Sequence, residues 1–371
     1  PVRFARPFES RFIAGVLNPE PRTLPMHRQL IGSPIEDLDT PALLLDGPAS
    51  DRNLRTMAAF FAERKCRLRP HFKNHKCATL ARRQQAVGYI VGFTCAKLGE
   101  AEVLADAGIH NILIANQVVG RRKIARLVDL AAKVDLTVAV DDDRQAKAIS
   151  QAAKAAGVTV DVLVEVDIGM GRCGVAPGEP ALDLARKGRK RPGLDFRGIQ
   201  AYEGHAVYTT DFDERASLVR QSMDLAVQTR KLIEDHGIPV GVISGGATST
   251  YQITGLVEGV DEIQAGTYPT MDWRYHQLAP EFEIALSILT RVISKRPGAA
   301  VLDVGCKGVG SEFGAPRIKD HPDVEIPFPL SEEHSTVHNA PDWGLGDLVH
   351  LIPSHACSTS NLYREFYVHE E

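Results

Sequence analysis

The octet Arg69-Pro-His-Phe-Lys-Asn-His-Lys76 holds the residue best suited to start covalent chemistry. Lys73 falls at the C-terminal end of what reads as a short strand. A lysine amine attacks carbonyls once it is neutral, and burial or nearby cations favour that form. Arg69, His71, His75 and Lys76 supply the cations. Two other readings stay open on local sequence alone. Lys76 is a rival nucleophile, and the octet also reads as a solvated basic loop.

Downstream lie two glycine-rich turns, Ser244-Gly-Gly-Ala-Thr-Ser249 and Gln264-Ala-Gly-Thr-Tyr268. Glycines let backbone amides converge on an anion, and hydroxyls add donors. The plainer reading is a pair of tight turns with no ligand. His355 and Cys357 are spaced i, i+2. On an extended segment both point to one side and can share an ion. Imidazole with thiolate favours Zn2+, and two protein ligands leave positions open for water or substrate, as catalytic sites do. By itself such a pair is more often without metal. Taken together, an amine, anion-cradling turns and a soft-metal pair suggest pyridoxal 5'-phosphate (PLP) chemistry assisted by a metal. Gly169-Met-Gly-Arg-Cys-Gly174 also matches G-x-G-x-x-G, but Pro177 and Gly178 follow in place of an immediate helix. It reads better as a turn holding Arg172 than as a dinucleotide loop.

The elements that must position these groups alternate. Apolar runs at residues 67–73, 90–95, 111–117, 136–142, 161–167, 196–204, 241–248 and 261–268 are separated mostly by Ala/Leu/Arg-rich helical stretches such as 121–133 and 214–236. That alternation predicts a parallel sheet, and its span suits an α/β fold closed as a (β/α)8 TIM barrel. Residues 250–260 are short on helix. In such a barrel the active groups sit at the strands' C-terminal ends, where Lys73, Tyr202, the two turns and Asp167 all fall. Beyond about residue 285, runs at 284–294, 299–304, 348–352 and 364–368 lack long helices between them and predict a C-terminal β domain. The expected division is 1–46 as an N-terminal arm and a strand joining the β domain, 47–284 as the barrel, and 285–371 as the β domain with the metal motif.

Bulk properties exclude several classes. The chain has 371 residues, 44% hydrophobic and 24% charged, with a formal net charge of −4. No basic field invites nucleic acid, and no apolar run approaches the about eighteen residues of a membrane span. The first residues carry charges and no apolar stretch, unlike a secretory signal. The six cysteines are scattered, as in a reducing, cytoplasmic compartment.

The ordered motifs Asp39-Thr-Pro-Ala-Leu-Leu-Leu-Asp46, RPHFKNHK, Leu163-Val-Glu-Val-Asp-Ile-Gly-Met-Gly-Arg-Cys-Gly-Val175, Gly198-Ile-Gln-Ala-Tyr-Glu-Gly204, Ser244–Thr248, Gln264–Tyr268, Met271-Asp272, Leu302-Asp-Val-Gly-Cys-Lys307 and Pro353-Ser-His-Ala-Cys357 resemble the D-threonine aldolase / D-serine dehydratase group of fold-type III PLP enzymes. These share an alanine racemase-like barrel. The resemblance implies that Lys73 holds PLP as a Schiff base, with Arg172 near its phenolic oxygen and Tyr202 facing its pyridine nitrogen. Gly245, Gly246, Thr248, Gly266 and Thr267 would bind the phosphate, with Tyr268 close by. His355 and Cys357 would hold a divalent metal, Zn2+ or Mn2+, with Mg2+ a further option. The implied activity is cleavage of β-hydroxy-D-amino acids, of the D-threonine or 3-hydroxy-D-aspartate aldolase type. The alternatives are a D-serine or 3-hydroxy-D-aspartate dehydratase giving a keto acid and ammonia, and, further off, an amino-acid racemase. A homodimer is implied, with a small-molecule substrate and no nucleic-acid or membrane partner. The chain departs from the aldolases at Cys357, where they carry Asp and the dehydratases carry Cys. Ser335 replaces a usual Gly after Glu333-His334. Past Asn361 the relatives continue with another strand, which this chain largely lacks.

Overall fold

The computed structural model describes residues 30–370. The expected N-terminal arm lies, as far as residue 29, outside the described residues. The chain forms two compact units. One comprises Leu54–Tyr268 and Gln277–Ala279. The other takes in the described residues up to Asn53, Pro269–His276 and the described residues from Pro280 onward.

The chain enters through β1 (Ala42–Asp46) and α1 (Gly47–Phe61). Strand and helix then alternate through β2 (Arg67–Leu68), α2 (Ala78–Val87), β3 (Phe93–Cys95), α3 (Leu98–Asp106), β4 (Asn111–Gln117), α4 (Arg121–Ala131), β5 (Asp135–Val140) and α5 (Asp143–Ala156). They continue through β6 (Val160–Val166), α6 (Glu179–Lys190), β7 (Leu194–Ala201), α7 (Phe212–Asp235), β8 (Val242–Gly245), α8 (Tyr251–Thr254) and β9 (Glu262–Ile263). β2 to β9 form one eight-stranded parallel sheet in the order β2-β9-β8-β7-β6-β5-β4-β3. Parallel bridges Leu68↔Ile90 and His71↔Thr94 join its two ends, so the sheet closes into a barrel. The strands are apolar because helices cover one face and packed side chains fill the other. In β6, Val-Asp-Val-Leu-Val-Glu-Val, every residue but Asp161 is buried. Two of the helices start where side chains take up free amides: Asp142 accepts from Arg144 N ahead of α5, and Asp211 from Glu214 N ahead of α7. Between β8 and β9 only the four-residue α8 intervenes, as the sparse helical signal there indicates.

The second unit contains α9 (Trp273–His276), β10 (Leu286–Arg296), β11 (Ala299–Leu302), β12 (Arg317–Ile318), β13 (Ser335–His338), β14 (Leu348–Ile352), α10 (Ala356–Ser360) and β15 (Tyr367–His369). β10 is its spine and pairs antiparallel with β1, β11 and β14. Leu38, Ala42, Leu44 and Leu289 form a buried cluster there, with Leu348 and Tyr367 packed against it. A strand does exist past Asn361: β15 pairs in parallel with β1, Leu44 opposite Tyr367. β12 and β13 carried no apolar signal in the sequence because they are short and half exposed.

Among the described residues no helix is long and apolar enough to cross a membrane.

Candidate active site

Lys73 is positioned by a backbone ladder that outlasts regular β2. Arg69 N donates to Ile263 O at 2.9 Å and His71 N to Ala265 O at 3.0 Å, which ties this segment to the end of β9. Phe72 N donates to Thr94 O and Thr94 N to Pro70 O, both at 2.8 Å, which ties it to β3. Pro70 has no N–H, so one rung is missing on the β3 side. Deeper in the barrel Arg69 anchors the segment: its guanidinium grips Glu262 twice at 2.7 Å and reaches Asn111 Oδ1 at 2.6 Å. The ladder stops at Phe72, and Lys73 emerges exposed at the barrel's C-terminal mouth. Among the described residues nothing bonds to or pairs with its amine. Lys76 is half-buried in a left-handed turn (φ 51), and its charge, like that of Lys73, bears on buried Glu100.

His71 joins the groups at this mouth. It is buried, and its pKa falls well below 6.5, first through burial and then through the charges of Lys73, Arg172 and His75. It stays neutral, and its Nδ1 accepts from Lys73 N at 3.4 Å. Lys73 and Arg172 thus converge electrostatically on one imidazole. Arg172 lies 5.4 Å from the ring centroid of Tyr202, the residue after β7. The G-x-G-x-x-G segment is a turn and not a dinucleotide loop. Asp167 accepts from Gly169 N and Gly171 N, Asp141 accepts from Gly174 N, and Val175 returns to bridge Val166.

The two glycine-rich turns lie side by side. Thr248 Oγ1 accepts from Thr267 N at 2.9 Å and Tyr268 N at 3.2 Å. With both lone pairs engaged, its O–H proton remains to be donated. Gly245 ends β8, and Gly246 N donates to the buried carboxylate of Glu203, which also accepts from Thr250 and Thr254. Gly266 passes so close to His71 that a Cβ there would meet the histidine's Cβ and O at 2.9 Å. Tyr268 is fully buried and its hydroxyl accepts from Gln84 Nε2 at 2.7 Å. Gln84 Oε1 lies 3.1 Å from His75 Nε2, and His75 Nδ1 accepts from Cys77 N at 3.1 Å. Burial lowers the His75 pKa to about 4, so the ring is neutral with its proton on Nε2, facing Gln84. A buried chain His75–Gln84–Tyr268 thereby links the segment bearing Lys73 to the turn bearing Gly266.

The second reactive set lies in the other unit. His355 caps the N-terminus of α10 and Cys357 sits in its first turn, so the pair is not on an extended strand. The Cys357 thiol nonetheless acts electrostatically on the imidazole. Glu312 bonds to His355 Nδ1. Buried Asp272 accepts from Tyr275 N and Ala356 N, and burial raises its pKa to about 6. Burial opposes charge on His355, but Cys357, Glu312 and Asp272 outweigh it and raise its pKa to about 9. An imidazole ringed by three acidic groups is an environment that favours a cation. With Nδ1 held by Glu312, Nε2 is the nitrogen left for an ion, which is how metal-ligating histidines are usually held. Among the described residues no group of three or more His, Cys, Asp and Glu is arranged to bind a metal.

Residues 45–272 match the family model for the alanine racemase N-terminal domain, and residues 285–369 match that for the serine dehydratase domain. The chain is 38% identical to a D-threonine aldolase from Arthrobacter sp., over 90% of this chain and 89% of that protein. The chain belongs to the D-threonine aldolase / D-serine dehydratase family. The crystal structure of D-threonine aldolase from Filomicrobium marinum superposes with a TM-score of 0.85 at 40% identity, covering 89% of this chain and 91% of that one. D-threo-3-hydroxyaspartate dehydratase from Delftia sp. HT23 gives 0.81 at 26% identity, covering 88% and 93%. A variant of a dehydratase of that name has been solved in a metal-free form. Membership makes this chain a lyase with an alanine racemase-like barrel and a strand-rich C-terminal domain.

The residues at both places fit the groups associated with this family. At the barrel mouth there is an amine without an ionic partner, a guanidinium, a free hydroxyl proton on Thr248 and a close-approach glycine. At α10 a carboxylate-held imidazole sits beside a thiol. The sequence offered His71 and His75 as cations beside Lys73, but burial keeps both neutral, and it assigned no role to Gln84, Glu203, Glu312 or Asp272. Of these last four, Glu203 and Asp272 lay within family motifs. Replacing Gln84 tests the buried chain. Gln84→Leu leaves the His75 N–H and the Tyr268 hydroxyl without this partner, and should lower unfolding free energy by about 1–3 kcal/mol in a denaturant titration. A loss of only a few tenths would remove the chain as a structural link.

Proposed function

We propose that this protein is a PLP- and divalent-metal-dependent lyase that cleaves β-hydroxy-D-amino acids to glycine, or a glycine analogue, and an aldehyde. The observation that carries the reading is the Lys73 amine, unpaired among the described residues, emerging at a barrel mouth that also holds Arg172, Tyr202 and the paired turns. When bound, PLP supplies an electrophilic carbonyl and an electron sink, and a divalent ion supplies Lewis acidity toward a hydroxyl. Lys73 would hold the cofactor, with Arg172 at its phenolic oxygen and Tyr202 at its ring nitrogen. Gly245, Gly246, Thr248, Gly266 and Thr267 would surround its phosphate, with Tyr268 anchoring that turn from behind. His355 and Cys357 would hold Mn2+ or Zn2+.

The chain's own groups prepare this chemistry in three ways. Neutral His71 accepts from the Lys73 backbone and adds no charge beside the amine. Arg172 brings a permanent cation to the mouth, suited to an anionic oxygen. Tyr202 is a neutral partner for a ring nitrogen and does not hold a proton there as a carboxylate does, so more of the activation falls to the metal side.

Aldolase is favoured over dehydratase because the aldolase relatives are 38% and 40% identical, against 26% for the Delftia dehydratase. Cys357 and the serine dehydratase domain match support the second reading. The test is product identification with D-threonine, D-serine and 3-hydroxy-D-aspartate, with and without Mn2+ or Zn2+. We expect metal-dependent release of glycine and acetaldehyde from D-threonine. Keto acid and ammonia as the sole products would establish the dehydratase. Metal-independent racemisation would overturn both.

We further propose a homodimer. Lys73 and Arg172 are both exposed in the single chain. Chemistry at that mouth needs water excluded, and a partner subunit is the simplest cover. Light scattering at micromolar concentration should give twice the chain mass, and full activity from a monomer would contradict the proposal.

A further inference from the structure

We infer that Glu312 is a positioning residue that presents His355 to the divalent ion, an inference that rests on the metal reading of His355 and Cys357. Three observations carry it. Glu312 bonds to His355 Nδ1, which fixes the ring's tautomer and its rotation about the Cβ–Cγ bond. Phe313, the next residue, packs its ring 4.9 Å from the imidazole at 51°, so one loop holds the ring from two directions. That loop is itself fastened to α10. Gly310 N donates to Thr359 Oγ1 at 3.0 Å, and Ser354 Oγ donates to Gly310 O at 3.2 Å.

Gly310 shows how tightly the two segments are apposed. A Cβ there would lie 2.0 Å from Ser358 Oγ and 3.1 Å from Thr359 N. The Glu312 side chain is itself exposed, but the backbone that carries it is anchored by this close packing two residues away. A histidine whose far nitrogen is tied to a carboxylate is a stronger ligand and pays less to be oriented. Losing such a partner typically costs about 10–100-fold in metal affinity. Glutamine retains an acceptor for the Nδ1–H without the charge, so Glu312→Gln should lose less than Glu312→Ala.

The experiment uses PLP-loaded protein stripped with chelator and titrated with Mn2+, free ion being read by electron paramagnetic resonance. Glu312→Ala should bind about 10–100-fold more weakly than the parent, with Glu312→Gln between them. The visible absorbance of bound cofactor reports whether each variant is intact. Co2+ gives the second readout: the thiolate-to-metal band expected from Cys357 should keep its position in Glu312→Gln, because the ligand set is unchanged. Parent-like Mn2+ affinity in Glu312→Ala would overturn the inference and leave the metal reading intact. A shifted Co2+ spectrum in Glu312→Gln would make Glu312 itself a ligand, which also overturns it. A parent that binds neither ion would sink the metal reading and this inference together.

Discussion

The reactive end of this molecule depends on how the barrel closes. β2 is paired as a regular strand for only two residues, and β9 is equally short. The seam between the first and last barrel strands therefore rests on single backbone bonds from Arg67, Arg69 and His71, and on the Arg69–Glu262 ion pair. That pair is nearly buried, at 9% and 13% side-chain exposure, so removing either partner would strand a charge. Because the ladder ends at Phe72, the next residue leaves the wall at the mouth. A slip of one residue would put Lys73 on the other face and bring another side chain to the opening.

From that seam the rest of the site follows by contact. His71, locked in the ladder, touches the Gly266 turn and accepts from the Lys73 backbone. The Gly266 turn is tied to the Gly246 turn through Thr248. The Gly246 turn is held by Glu203, a buried carboxylate with three donors. Polar groups this deep are tolerated because they are satisfied. Their cooperation makes the mouth a rigid platform, which is what a phosphorylated cofactor needs if its reactive carbon is to be held in one place.

Much of this was legible in the amino-acid order, and the reasons are specific. Val160–Val166 is apolar throughout because both faces are buried, so strand and parallel sheet could be read from it directly. Lys73, Arg172, Tyr202 and the two turns stand at strand ends, where barrel chemistry must lie. The start of α10 was not legible. His355-Ala-Cys has no helical period, and the helix starts because the Thr359 hydroxyl and amide both bond to His355 O. Glu312 was also invisible, since its contact with His355 spans 43 residues without a local pattern. Gln84 meets Tyr268 across 184 residues, and only the closed barrel brings them together. β15 was underestimated because its three residues are half-buried and gain their stability from β1, far away in sequence.

The central claim is that Lys73 is the residue to which the cofactor becomes attached. The direct measurement is borohydride reduction of the PLP-loaded protein, followed by peptide mass mapping of the pyridoxyl-lysine. The account predicts the modification on Lys73 alone, within the peptide that carries His71 and Phe72. Modification on Lys76, or on any lysine away from the barrel mouth, would contradict it.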